Sequence, residues 1–140
     1  MFYLSRSMTG DNLTRFHIEA GIAACHANAA TYEETNWQAI HTYYQDLMTL
    51  HPSPVIAMNK AVALGLGGNL PQAIRDLKKL ASDDQLKQYH LYHASLAELY
   101  RRSEKYKKSL KCYELALAAT DIATERRFIE KRISQVRKFL

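Results

Sequence analysis

Residues 93–121, HASLAELYRRSEKYKKSLKCYELALAATD, decide the fold. Apolar residues recur there at three- and four-residue intervals on both sides of a polar stretch. That is the period of two helices joined by a short turn, not the two-residue alternation of a strand. Leu96, Ala97 and Tyr100 share one face of the first helix, and Tyr106, Ser109, Tyr113, Ala116 and Leu117 share one face of the second. Ala97 and Ser109 are small where the two helices must cross, so the backbones can approach while the tyrosines fill the flanking holes.

The same spacing returns upstream. Ala61, Leu64, Gly68, Leu70, Ala73, Leu77 and Leu80 repeat it, with Lys60 as a departure, and Ile40, Tyr44, Leu47 and Pro52 repeat its second half loosely. Tyr44, Leu77 and Tyr113 stand 33 and 36 residues apart, close to the period of about 34 that marks helical solenoids. The pattern resembles tetratricopeptide repeats. It predicts an all-α, right-handed α-solenoid of tetratricopeptide-like helix pairs, with units at about 11–52, 53–83 and 84–120 and a capping helix at 121–140.

Three prolines and five glycines punctuate seven expected helices. The first covers about residues 13–29, with Leu13, Phe16, Ala20, Ala23, Ala24 and Ala27 inward. The second starts near Thr35 or Asn36, carries Trp37, Ile40, Tyr44 and Leu47 inward, and stops at Pro52. Ser53 as cap and Pro54 as first helical residue open a third, which ends at 65–68. Pro71 starts a fourth bearing Ala73, Ile74, Leu77 and Leu80, and Asp83 or Asp84 caps a fifth that runs unbroken to about Arg102. The sixth spans about 105–119. Asp121 caps a seventh with Phe128, Ile129, Ile133 and Val136 inward and Arg126, Arg127, Glu130, Lys131, Arg137 and Lys138 facing water. Phe2, Tyr3 and Leu4 read as the end of an earlier helix, so residues 1–10 are expected to be a remnant of a longer stack with an apolar edge that promotes self-association.

With 140 residues and 47% apolar content the chain suits one compact domain or a short solenoid. No apolar run approaches the roughly 18 residues of a membrane span, and the opening MFYLSRSMTG lacks the basic and apolar regions of a signal peptide. Cys25 and Cys112 lie far apart in apolar helical settings and read as reduced thiols of a cytoplasmic protein. The net charge of +5 is uneven: residues 1–70 hold three basic and five acidic side chains, residues 71–140 sixteen and nine. A basic half attracts acidic partners, although such residues also coat solvated helix faces.

No residue pattern calls for chemistry. His90 and His93 are two ligands where zinc needs three or four, and His93 falls at a core position of the repeat, where packing with one satisfied nitrogen explains it. His26 sits at the negative end of its helix. Neither cysteine has an activating base in sequence, and LGLGGNLP (residues 64–71) is a turn without the strand and lysine of a phosphate loop. Glu33/Glu34 and Asp83/Asp84 sit at helix starts, where capping explains them. The expectation is a protein with no catalytic residues, no metal and no cofactor.

Further stretches carry a second resemblance: IEAGIAACHA (18–27), Trp37, PSPVIAMNKAVAL (52–64), YHLYHASLAELYRR (89–102) and ERRFIEKR (125–132). Together they are similar to the carboxy-terminal tetratricopeptide-like domain of extracytoplasmic-function (ECF) sigma factors of bacterial RNA polymerase. The resemblance implies a regulatory protein-interaction domain that contacts the sigma core, polymerase or another regulator, with no direct DNA contact and no membrane. The promoter-reading and core-polymerase-binding helices of those proteins have no counterpart here. In a tetratricopeptide stack the first helix of each pair lines the concave groove, which places Val55, Met58, Asn59, Val62, Glu98, Arg101 and Arg102 as the partner-binding residues. An apolar floor with a basic rim fits a peptide with apolar anchors and an acidic flank. A free-standing adaptor is the alternative. A carboxylate clamp is incomplete because Leu91 and Ser95 stand where it needs basic residues.

Overall fold

A computed structural model describes residues 10–27, 29 and 34–140, with side chains from Thr14 onward. The described residues form eight helices and no strand: α1 (Gly10–Ala27), α2 (Trp37–Leu50), α3 (Pro54–Leu66), α4 (Leu70–Lys79), α5 (Asp84–Lys87), α6 (His90–Arg102), α7 (Tyr106–Ala118) and α8 (Ala123–Arg137). The fold is all-α. Among the described residues no helix is long and apolar enough to cross a membrane. Phe2, Tyr3 and Leu4, the side chain of Leu13 and Glu33 lie outside the described residues.

Local chemistry sets the helix starts. Asn36 accepts from the Ala39 N–H at 3.1 Å to cap α2, Ser53 accepts from Val55 N–H to cap α3 with Pro54 behind it, and Asp83 accepts from Leu86 N–H at 3.0 Å. For α4 the cap is Asn69, which accepts from Gln72 N–H, so the helix begins at Leu70 and Pro71 occupies its first turn without opening it. The cap position of α8 is held by Ile122, not Asp121. Buried Thr120 organises that turn instead, accepting from Ile122 N–H at 3.2 Å and donating to Glu125, while Arg126 donates to the Leu117 and Thr120 carbonyls at the end of α7. Arg126 is therefore a C-terminal cap for α7, the negative end of its dipole, and not a solvated charge.

Successive helices pack on one another along the chain, α1 on α2, α2 on α3, α3 on α4, α6 on α7 and α7 on α8. The repeat seen in the sequence is physical. The turn between α3 and α4 bonds Gly67 N–H to Ala63 O, Gly68 N–H to Gly65 O and Asn69 N–H to Leu64 O; the turn between α6 and α7 bonds Ser103 to Leu99, Glu104 to Arg101 and Lys105 to Tyr100, each 36 positions on. The residue that must turn left-handed is Gly68 in one (φ +119°) and Glu104 in the other (φ +61°). At the helix crossing, Ala97 and Ser109 are completely buried and Ser109 Oγ donates to the Ala97 carbonyl at 2.8 Å. In the preceding pair Ala61 and Ala73 hold those places, and a Cβ on Gly65 would stand 2.9 Å from Ala73 Cβ and 2.8 Å from Leu99 Cδ2.

Two apolar clusters result. The larger joins α3 through α8 around Leu77, Leu86, Leu99, Tyr113 and Val136; the smaller joins α1, α2 and α3 around Ile18, Ile22, Ile40 and Leu47. α3 belongs to both, giving Met58 and Ala61 to one and Ala63 to the other.

Three further sequence expectations are corrected. The fifth helix is broken at Gln88–Tyr89, where Tyr89 is extended (φ −100°, ψ 112°). The break lets Leu86 plunge into the core at 0% exposure and aims Tyr92 so that its hydroxyl donates to Leu77 O at 2.6 Å; His93 Nε2 lies 2.8 Å from the freed Lys87 carbonyl. The inward face of α1 is Ile18, Ile22 and half-buried Cys25, while Ala20, Ala23, Ala24 and Ala27 are exposed. At Gly21 a Cβ would meet the Tyr43 ring at 2.6 Å, and the branched side chains of Ile18 and Ile22, not the alanines, supply the buried area. Phe128 is 56% exposed, whereas Ile129, Ile133 and Val136 turn inward as expected.

Candidate functional site

The described residues enclose three adjoining cavities. One of about 500 Å³ lies between the end of α1, α2 and α3, walled by Trp37, Tyr44, Asn59, Val62 and Leu66. A second, about 320 Å³, lies between Trp37, Leu66, Gly67 and Arg102. The third, about 310 Å³, is bounded by Leu66, Glu98, Arg101, Tyr113, Phe128 and Arg132. Leu66 borders all three and Arg102 borders two, so the cavities run into one groove. Its width follows from the repeat: the small crossing residues draw α6 and α7 together, and α8 packs beyond α7, leaving a channel between α6 and α8 with Tyr113 beneath.

Glu98 organises the basic end. It accepts hydrogen bonds from Arg101 Nε at 2.9 Å, Arg102 Nε at 3.0 Å and the Tyr113 hydroxyl at 3.0 Å. Burial, the largest single influence, pushes its carboxyl upward, but the Arg101 hydrogen bonds and charge, with those of Arg102 and Tyr113, outweigh it and hold Glu98 below the ordinary carboxylate value. Arg101 is pushed up, first by its hydrogen bonds to Glu98, and Tyr113 is raised by burial and by the Glu98 charge. Arg132 stacks over the Phe128 ring at 5.3 Å and donates to Gln135 at 3.1 Å. Arg101 and Arg102 thus share one carboxylate, and Arg132 lines the same cavity.

The sequence-derived residues are not all at the groove. Asn59 and Val62 line its first cavity and Glu98, Arg101 and Arg102 its last. Val55 packs against the large cluster, and Met58, at 2% exposure, is core and not groove. The reason is register: one face of α3 turns to the groove with Asn59, Val62 and Leu66 while Met58 and Ala61 belong to the cluster shared with α4 and α6. Sequence reasoning missed Leu66, Trp37, Phe128 and Arg132 as groove residues. Phe128 and Arg132, four apart on a helix, are a cation–aromatic pair that spacing alone signals, but only the position of α8 turns them toward α6.

No cluster of three or more histidine, cysteine, aspartate or glutamate side chains is placed to hold a metal ion among the described residues. Burial pushes the Cys112 thiol up to about 11, the opposite of an activated nucleophile. His90 Nε2 lies 3.3 Å from Glu125 Oε2, which ties the start of α6 to the start of α8.

No protein-family model matches the chain. It is 30% identical over 121 residues to an uncharacterized protein of Rhizobium meliloti strain 1021. The match covers 86% of this chain and 28% of that protein. The chain therefore spans under a third of the curated relative it matches.

Proposed function

We propose that the chain is a non-catalytic, regulatory protein-interaction domain of the ECF sigma factor type, acting in the cytoplasm by contacts with the sigma core, RNA polymerase or another regulator. The observation that carries this reading is the continuous groove that runs from Asn59 and Val62 to the Glu98, Arg101 and Arg102 cluster. Its aromatic and arginine lining has the composition of protein-binding surfaces. The length of the Rhizobium relative supports it too, because there a segment like this one is one part of a longer chain. The domain acts by occupancy and not by turnover, and it makes no direct DNA contact.

The test is recovery of partners on the tagged chain from a bacterial extract, identified by mass spectrometry. RNA polymerase, a sigma factor or a transcription regulator is the expected capture, and the triple change Glu98→Ala, Arg101→Ala, Arg102→Ala should remove it. Equal recovery by the triple variant counts against the groove, and capture of proteins unconnected with transcription counts against the sigma factor reading.

A further inference from the structure

The basic residues of the second half gather at one end of the last helix pair. Arg126, at the start of α8, bonds to the end of α7, and the Tyr106 and Phe139 rings stack at 4.5 Å and 8°, so the two helices are antiparallel and the start of α7 meets the end of α8. Lys105, Lys107 and Lys108 flank the stack on α7, with Lys111 one turn on, and Arg137 and Lys138 flank it on α8, all six exposed. Residues 103–111 and 134–140 hold these six basic side chains and one acidic one, Glu104; the main-chain carboxylate of Leu140, counted with it, still leaves this end strongly positive. Among the described residues none of the six shares an ion pair with a carboxylate, and Lys108 lies 5.7 Å from the centre of the Tyr100 ring. Phe139 and Leu140 are 63% and 57% exposed among these cations.

The repeat itself does not require these charges. The turn 36 positions earlier makes the same backbone hydrogen bonds with neutral Asn69, Leu70, Pro71 and Gln72 where this one has Lys105, Tyr106, Lys107 and Lys108. Asn69 caps its helix, whereas Lys105 gives α7 no side-chain cap and the positive end of the α7 dipole opposes the lysines beside it. Local stability is given up for positive charge. We infer that the Tyr106–Phe139 stack and its surrounding cations form a second docking surface, apart from the groove, for a protein segment in which aspartate or glutamate alternates with large apolar residues. Charge complementarity calls for a polyanion. The exposed Phe139 and Leu140 narrow the choice, because the occupant must bring apolar side chains next to its charges. A nucleic acid strand fits less well: Tyr106 already covers one face of the Phe139 ring, Leu140 offers no plane to a base, and five of the six cations are lysines, which lack the fork with which arginine fixes a phosphate. A flat anionic membrane would press on Glu104, exposed in the turn beside Lys105, whereas a narrow segment passes it by.

A fluorescein-labelled peptide that alternates glutamate with leucine, titrated with the whole chain and read by anisotropy, tests this directly; the same peptide with glutamine for glutamate is the neutral control. The acidic peptide should bind, weaken as salt is raised, and lose on the order of tenfold in affinity when Lys107→Glu and Lys138→Glu are combined. Phe139→Ala should weaken it as well. Lys78→Glu with Lys79→Glu, the same charge change at the far end of α4, should leave binding unaltered, and circular dichroism should show each variant folded. If Phe139→Ala does not fold, the charge reversal, made at exposed residues, decides alone. Absence of binding, equal binding of the glutamine peptide, or binding indifferent to the charge reversal or to a folded Phe139→Ala overturns the inference. The groove reading then stands, because none of these changes touches a groove residue. Tighter binding of a labelled single-stranded oligonucleotide, or of vesicles containing phosphatidylglycerol, than of the acidic peptide also overturns it.

Discussion

Glu98 is the residue on which the basic end of the groove turns, because three donors converge on its carboxylate. Its folded pKa lies below the ordinary 4.5, so its contribution to stability is fully present above that pH and is lost as the pH falls through the folded value. Urea unfolding from neutral to acid pH should therefore show a smaller fall in Glu98→Gln than in the wild type; parallel curves would remove Glu98 from the account. At the alkaline end the sign is also set. Cys112 rises from 9.0 to about 11 and Tyr92 from 10.0 to about 12, so the unfolded chain releases those protons first and stability declines above pH 9. Cys112→Ala should flatten the curve between pH 9 and 11. Glu104 holds φ +61° where the equivalent turn uses Gly68. Glu104→Gly should accordingly stabilise by up to about 1 kcal/mol in urea unfolding, since glycine occupies the left-handed region without steric cost.

At the scale of elements, packing rests on how closely helix pairs approach. A methyl group on Gly65 would press on Leu99 and Ala73, both completely buried, so Gly65→Ala should cost about 1–3 kcal/mol despite the better helix propensity of alanine. A gain in stability would mean that α3 and α6 separate without penalty. The break between α5 and α6 makes a similar point. Residues 84–102 have unbroken helical periodicity, and no residue in them is proline or glycine, so nothing local announces the break. It exists because Leu86 must reach the core and Tyr92 must donate to the Leu77 carbonyl, two contacts that one straight helix would not supply together. Leu86→Ala should cost about 2–5 kcal/mol, as much as a change in the middle of a long helix, although α5 is a single turn.

Across the whole molecule the two apolar clusters are unequal. The larger ties α3 through α8, whereas the smaller holds α1 against α2 and α3 with α1 presenting four exposed alanines to solvent. Stability in stacked helix pairs is a sum of local terms, so the α1–α2 end should open before the rest. Amide hydrogen exchange should be fastest in α1 and slowest in α6 and α7; uniform exchange along the chain would show one cooperative unit instead. The groove spans both parts, with Asn59 and Val62 at the looser end and Arg101 at the tighter one, which places the charged end on the more rigid scaffold.

Sequence alone determined the helix pairs, a repeat near 34 residues, the cap at Ser53, and the crossing of Ala97 with Ser109, and it narrowed two further caps to Thr35 or Asn36 and to Asp83 or Asp84. These are local matters of period, turn chemistry and side-chain size, all written within one unit. It also put Asn59, Val62, Glu98, Arg101 and Arg102 on the groove side. Tertiary structure alone decided that Ile18 and Ile22, not the alanines, bury α1, that Met58 belongs to the core, and that Phe128 and Arg132 face the groove. Each of those depends on which neighbour covers a helix face, and an amphipathic pattern with apolar residues on more than one side does not say which face will be covered.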